Sequence, residues 1–140
     1  MVDLPYGFRV RLVGTFQDVL RRVGDSLTDH ELEILTRVDL REHLQATLAV
    51  ETGDYVSLTV CNPSLAARAL EAEHSAGLLL PGSVIVHADG PGTTIVEAVA
   101  PLLLAAERGR NPALMDVARE IDVRLRRALV ALEGVQYHAA

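Results

Sequence analysis

Residue type and spacing point most directly to chemistry at Cys61-Asn62-Pro63. Asn is a favoured helix N-cap and Pro a favoured first helical residue, so the pair starts a helix. A cysteine one residue ahead lies near the positive end of that helix, where a thiolate is favoured and its pKa depressed. With His74 or His87 as base, such a thiolate would suit a thiol-dependent enzyme or a redox sensor. The plainer reading makes Cys61 a small apolar residue ending a buried strand, and it is preferred because no second cysteine exists to work with it. His74 and His87 are also candidate proton carriers or metal ligands. No His-x-x-x-His or Cys-x-x-Cys spacing supports a metal. A site built from Glu71, His74, His87 and Cys61 would need the fold to gather them, so neither a metal nor a cofactor is expected. Arg37 could hold an anion or carboxylate bidentately, although a solvent-facing strand residue explains it as well. Asp89-Gly90-Pro91-Gly92 has the glycines of a phosphate loop but not the strand-then-helix context, and reads as a turn. Serine catalysis lacks a G-x-S-x-G elbow.

These residues are positioned by a short series of elements. Phe8 to Val13 alternates apolar and charged residues as a strand with one core face. Thr15 with Asp18 resembles a capping box ahead of the stripe Phe16, Val19, Leu20, Val23 and Leu27, a helix ending near Leu27. Leu32 to Val38 predicts a second strand in which Leu32, Ile34, Thr36 and Val38 share the core face and Arg37 points away. Asp39 with Glu42 caps a short helix striped by Leu40, His43, Leu44, Thr47 and Leu48. Tyr55 to Val60 is a third strand, and the Asn62-Pro63 helix follows with Leu65, Ala66, Ala69 and Leu70 on one side. Two further strands, Ser83 to His87 and Thr93 to Val99, flank the Asp89 turn as a hairpin. Asn111-Pro112 then opens the longest helix. Leu114, Val117, Ala118, Ile121, Leu125, Ala128, Leu129 and Leu132 form its apolar face, and Gly134 is expected to end it. Glu120–Arg124 and Asp122–Arg126 are its expected ion pairs. The order predicts an α+β domain, with one sheet and helices on one face, in a single unit spanning residues 1–140.

Composition excludes several activities. The 140 residues contain 13 basic side chains, all arginine, so Schiff-base chemistry and a P-loop lysine are absent. A formal charge of −6 is the wrong sign for a duplex-binding protein, so no duplex nucleic acid is expected as a partner. The single cysteine fits a reducing compartment. No signal-peptide pattern opens the chain, and Val99 to Ala106 is too short to span a bilayer, which leads to the expectation of a cytoplasmic protein with no membrane partner.

The Cys61-Asn62-Pro63 start with Leu65-Ala66, the run Gly77-Leu78-Leu79-Leu80-Pro81, and Thr36-Arg37-Val38-Asp39 together resemble the bacterial and archaeal domain of unknown function numbered 302. The likeness runs from about Phe8 to Pro101. It implies a TATA-binding-protein-like arrangement, a curved antiparallel sheet carrying two main helices, and it implies a homodimer. It brings no established reaction. Many relatives carry a second cysteine after Leu-Leu-Leu-Pro, where this chain has Gly82, so a two-thiolate site is not available. The expected function is a homodimeric module that binds a small ligand or a protein partner without catalysis. Its ligand pocket would be lined by Cys61, Asn62, Pro63, Leu80 and Pro81, with Arg37 as an anion holder. The apolar segments Leu78 to Leu80 and Val99 to Leu104 would supply its interface.

Overall fold

The computed structural model describes residues 1–78, 82–101, 105 and 111–138, with side chains to residue 134. Leu80 and Pro81 of the expected pocket, and residues 79 and 102–104 of the expected interface, lie outside them. The elements in chain order are β1 (Val2–Leu4), β2 (Gly7–Val13), α1 (Phe16–Asp29), β3 (Glu33–Asp39), α2 (Leu40–Leu48), β4 (Tyr55–Cys61), α3 (Pro63–Ala72), a 3₁₀ turn (His74–Leu78), β5 (Gly82–Ala88), β6 (Thr93–Val99) and α4 (Pro112–His138). The six strands form one antiparallel sheet in the order β1-β2-β6-β5-β4-β3. The fold is α+β, as the element order predicts.

Period-two alternation decides what each strand buries. Phe8, Val10 and Leu12 on β2, Val56, Leu58 and Val60 on β4, Val84 and Val86 on β5, and Val96 and Ala98 on β6 turn to one side. Against them lie the stripes of α1 (Val19, Leu20, Val23, Leu27), α3 (Leu65, Ala69) and α4, whose eight predicted apolar residues are all buried. The core is aliphatic apart from Phe8. Each of the valine, leucine, isoleucine and phenylalanine side chains is worth roughly 1.5–3 kcal/mol when fully removed from water, and each alanine less. Ser26 on α1 donates to the Ala128 carbonyl of α4 at 2.7 Å, which satisfies a buried hydroxyl at the contact of the two helices.

The helix starts follow the sequence. Thr15, Asp39 and Asn62 each accept a backbone N–H three residues on, and Asn111 does the same for Leu114 at 3.3 Å. Four expectations need correction. β1 is a short edge strand that no periodicity announced, since three residues carry no period. α4 continues through Gly134 to His138, because a helical glycine costs only about 1 kcal/mol and does not by itself end a helix. Asp122 pairs with Arg126 at 2.9 Å, but Glu120 turns to Arg68 on α3 and Arg124 to Glu31, so tertiary partners replace the expected pair within the helix.

The fourth correction concerns β3. Its ladder with β4 slips between Ile34 and Thr36, a bulge that leaves Leu35 unpaired. Ile34 lies opposite buried Val60, whereas Thr36 lies opposite Thr59 and Arg37 opposite buried Leu58. An inserted residue reverses the alternation beyond it. Leu32, Ile34, Thr36 and Val38 therefore do not share a face, and Arg37 stands on the core side of an edge strand whose seven residues are all exposed.

Candidate functional site

The sheet face turned away from α1, α3 and α4 carries the second half of each alternation. Antiparallel register sets Ser57, Ile85, Glu97 and Arg9 in one cross-strand row over β4, β5, β6 and β2. Tyr55, His87, Ile95 and Arg11 form the next row. Residues from distant parts of the chain become neighbours there, at the 4.5–5.5 Å typical of opposed strand pairs.

Glu97 is the centre of this face. Arg9 donates to its Oε2 through both Nε (3.1 Å) and Nη2 (2.9 Å), and His87 Nε2 lies 3.1 Å from its Oε1. The Glu97 side chain is only 14% exposed, so the carboxylate sits low on the sheet while the guanidinium reaches outward. Paired and hydrogen-bonded in this way, a half-buried charge is tolerable where a lone one would not be. The His87 ring stacks on Tyr55, with centroids 5.3 Å apart and planes 12° from parallel. Burial pushes the Tyr55 phenol up, and the negative charge of Glu97 and the nearby Tyr6 push it the same way. The imidazole is thus fixed from two sides, by a carboxylate at its edge and a phenol on its face.

Beside Glu97 the sheet opens into a cavity of about 210 Å³ lined by Leu4, Tyr6, Ser83, Ile85, Ala98 and Val99. Tyr6 stands in the β1–β2 hairpin, which puts its ring at the rim. Gly7 makes this geometry possible: a Cβ there would come within 2.1 Å of the Ala98 carbonyl oxygen, so only glycine lets β2 run this close to β6. A wider cleft of about 490 Å³ between the α1–β3 turn and α4 is lined by Asp29, His30, Glu31, Glu120, Arg124 and others. Its charges are paired in part, Arg124 with Glu31 at 2.7 Å and Glu120 with Arg68 at 3.4 Å. The small cavity has mostly apolar walls with Ser83 and, among the described residues, one charged group; the cleft is a broader groove among surface charges.

The sequence-derived candidates fall elsewhere, with one exception. Cys61 closes β4 and is buried; burial pushes its thiol up, and the charge of Glu33 opposite it adds to the shift. The depressed pKa expected from the α3 start is therefore not found: loss of solvation and a nearby carboxylate outweigh one helix end. Asn62 caps α3 and also donates from Nδ2 to the Glu31 carbonyl at 2.9 Å, while Pro63 opens the helix exposed. His74 is exposed on the 3₁₀ turn, a whole helix away from Cys61. His87 faces Tyr55 at the other end of β4, six residues and roughly 20 Å from Cys61 at about 3.3 Å per residue. The structure thus brings together neither Cys61 with a histidine nor Arg37 with any of them. Among the described residues no group of three His, Cys, Asp or Glu side chains is placed to hold a metal. Of the expected set only His87 belongs to the Glu97 site. No local spacing links Arg9, Tyr6, Tyr55 and Glu97, although one carboxylate within Thr93-Thr94-Ile95-Val96-Glu97-Ala98-Val99 is an irregularity in a run of strand formers.

Among the described residues, no helix is long and apolar enough to cross a membrane. The family described as domain of unknown function DUF302 matches residues 8–132. The chain is similar to the crystal structure of an uncharacterized conserved protein DUF302 from Bacillus stearothermophilus, at 28% identity and a TM-score of 0.81, over 90% of this chain and 97% of that one. No curated protein matches it.

Proposed function

The chain belongs to the DUF302 family, a family of unknown function, and from that premise we propose that it is a homodimeric module that binds a small apolar molecule without catalysis. The observation that carries this reading is the cavity of about 210 Å³ at Glu97, mostly apolar in its walls and open at one rim. Ligand sites are concave, mostly apolar and furnished with a few fixed polar groups, typically in roughly 300–1,000 Å³. A cavity below that range takes a fragment of one or two rings. Both partners of Glu97 hold it in place, which favours recognition over proton transfer.

Benzene tests the cavity directly. In methyl NMR spectra of the wild type, millimolar benzene should shift Ile85 and Val99, and Ile85→Trp, which fills the space, should abolish the shifts. Shifts scattered over the surface, or none, would remove this reading.

The dimer rests on a different observation. β3 is a sheet edge, and together with α2 and the following loop it exposes Ile34, Leu35, Val38, Leu48 and Val50, each 42–64% accessible. A free edge flanked by apolar side chains offers unpaired backbone groups to another strand. In a two-fold arrangement this patch meets its own copy.

A further inference from the structure

We infer that the ligand of the Glu97 cavity is an uncharged ring compound presenting one N–H or O–H donor to the Glu97 carboxylate. This rests on the reading of the cavity as a ligand site and names the chemistry that the site selects.

The argument is one of lone pairs and charge. A carboxylate offers about four acceptor positions on its two oxygens. Arg9 takes two of them on Oε2, and His87 takes one on Oε1. Among the described residues, Oε1 therefore accepts a single hydrogen bond, and Glu97 is the one carboxylate that lines the cavity. A ligand N–H or O–H can take the acceptor position that remains on this mostly buried oxygen, and hydrogen bonds to ionised acceptors are the stronger kind. Arg9 already balances the charge of Glu97. A ligand anion would meet a carboxylate at close range, and a ligand cation would meet one that is ion-paired. An uncharged molecule avoids both. The rest of the described wall is Leu4, Ile85, Ala98 and Val99 with the Tyr6 ring and the Ser83 hydroxyl, a mostly apolar lining that favours a flat ring.

Indole, indene and benzoate separate the alternatives. Indole and indene have nearly the same shape, but only indole has an N–H; benzoate has a ring and a negative charge. Each is titrated into the full chain and followed by the methyl resonances of Ile85 and Val99. Indole should bind about tenfold tighter than indene, the order expected of one good hydrogen bond to a charged group. Benzoate should bind no better than indene. In Glu97→Met the advantage of indole should vanish while indene binding is retained. Equal affinity for indole and indene in the wild type would overturn the donor requirement and leave the cavity reading standing. An indole advantage that survives in Glu97→Met would overturn Glu97 as its acceptor. Benzoate binding as tightly as indole would overturn the uncharged class. If neither ring compound moves Ile85 or Val99, the inference falls, and the benzene titration shows whether the cavity reading falls with it.

Discussion

At Cys61 two opposing effects can be compared. A helix end favours a thiolate, but its field fades within one turn and is weakened where a carboxylate stands opposite. Burial in the sheet and the charge of Glu33 act the other way and prevail. The consequence for stability has a definite sign. A thiol whose folded pKa is raised keeps its proton longer in the folded chain, so the folded state binds more protons than the unfolded one in that range. Stability conferred by the protonated thiol is therefore complete below the unfolded value of about 8.5 and falls as pH rises through the folded one. Urea denaturation at pH 7.5 and 9.5 should show the wild type losing more stability than Cys61→Ser over that interval. The variant itself should be about 1–2 kcal/mol less stable at pH 7.5, since a buried hydroxyl needs a partner that a thiol does not. Equal pH slopes for the two proteins would mean that the thiol titrates normally.

Elements differ sharply in what they contribute. α4 buries a continuous face, with Leu125 and Leu129 fully enclosed. α2 buries no residue and touches the body chiefly through β4. Leu125→Ala should cost about 2–5 kcal/mol through transfer and cavity terms, and Leu48→Ala, compared in a Leu35→Arg background that weakens the proposed dimer, should stay within about 0.5 kcal/mol. Chemical denaturation of both variants checks this; a large loss at Leu48 would mean that α2 is tied into the monomer core. The same contrast explains what the sequence revealed. β2 and α1 each bury one face along their length, and α4 does so from Leu114 to Leu132, so their periodicity is strong, and the caps Thr15, Asp39 and Asn62 mark starts by local chemistry alone. β3 misled because one inserted residue at Leu35 reverses its parity, and nothing local marks the insertion. The site was hidden for a related reason. Arg9 and Glu97 are 88 positions apart and meet only through the pairing of β2 with β6, while Glu97 and His87 meet through β5 and β6. Spacing rules see neighbours in sequence; a sheet makes neighbours by register.

For the whole molecule the proposed dimer gives a measurable mass. Light scattering at micromolar concentration should report twice the 15.1 kDa of one chain. Stable interfaces bury on the order of 1,600 Å² in total around an apolar centre. Leu35→Arg and Leu48→Arg should shift the mass toward the monomer, because a guanidinium desolvated without a partner costs several kcal/mol. A wild type at the mass of one chain rejects the dimer. A dimer indifferent to both changes places its interface away from β3 and α2.

The strand order also has a consequence in time. β3, β4, β5 and β6 pair with their sequence neighbours, but β2 must wait for β6, whose partner residues lie some 80 to 92 positions further on, as in Val13↔Thr93 and Gly7↔Val99. Closing so long a loop costs more entropy than closing the short connections of the meander, and that cost is offset only once a formed meander is there to receive β2. The meander can therefore assemble first and cross the barrier, with β2 and α1 added afterwards. Val10, buried on β2, then acts after the rate-limiting step, and Val86, buried on β5, acts within it. Val10→Ala should chiefly quicken unfolding and Val86→Ala chiefly slow refolding, which stopped-flow measurements resolve as opposite arms of the chevron. The reverse pattern would mean that the two distant ends of the chain find each other before the middle has formed.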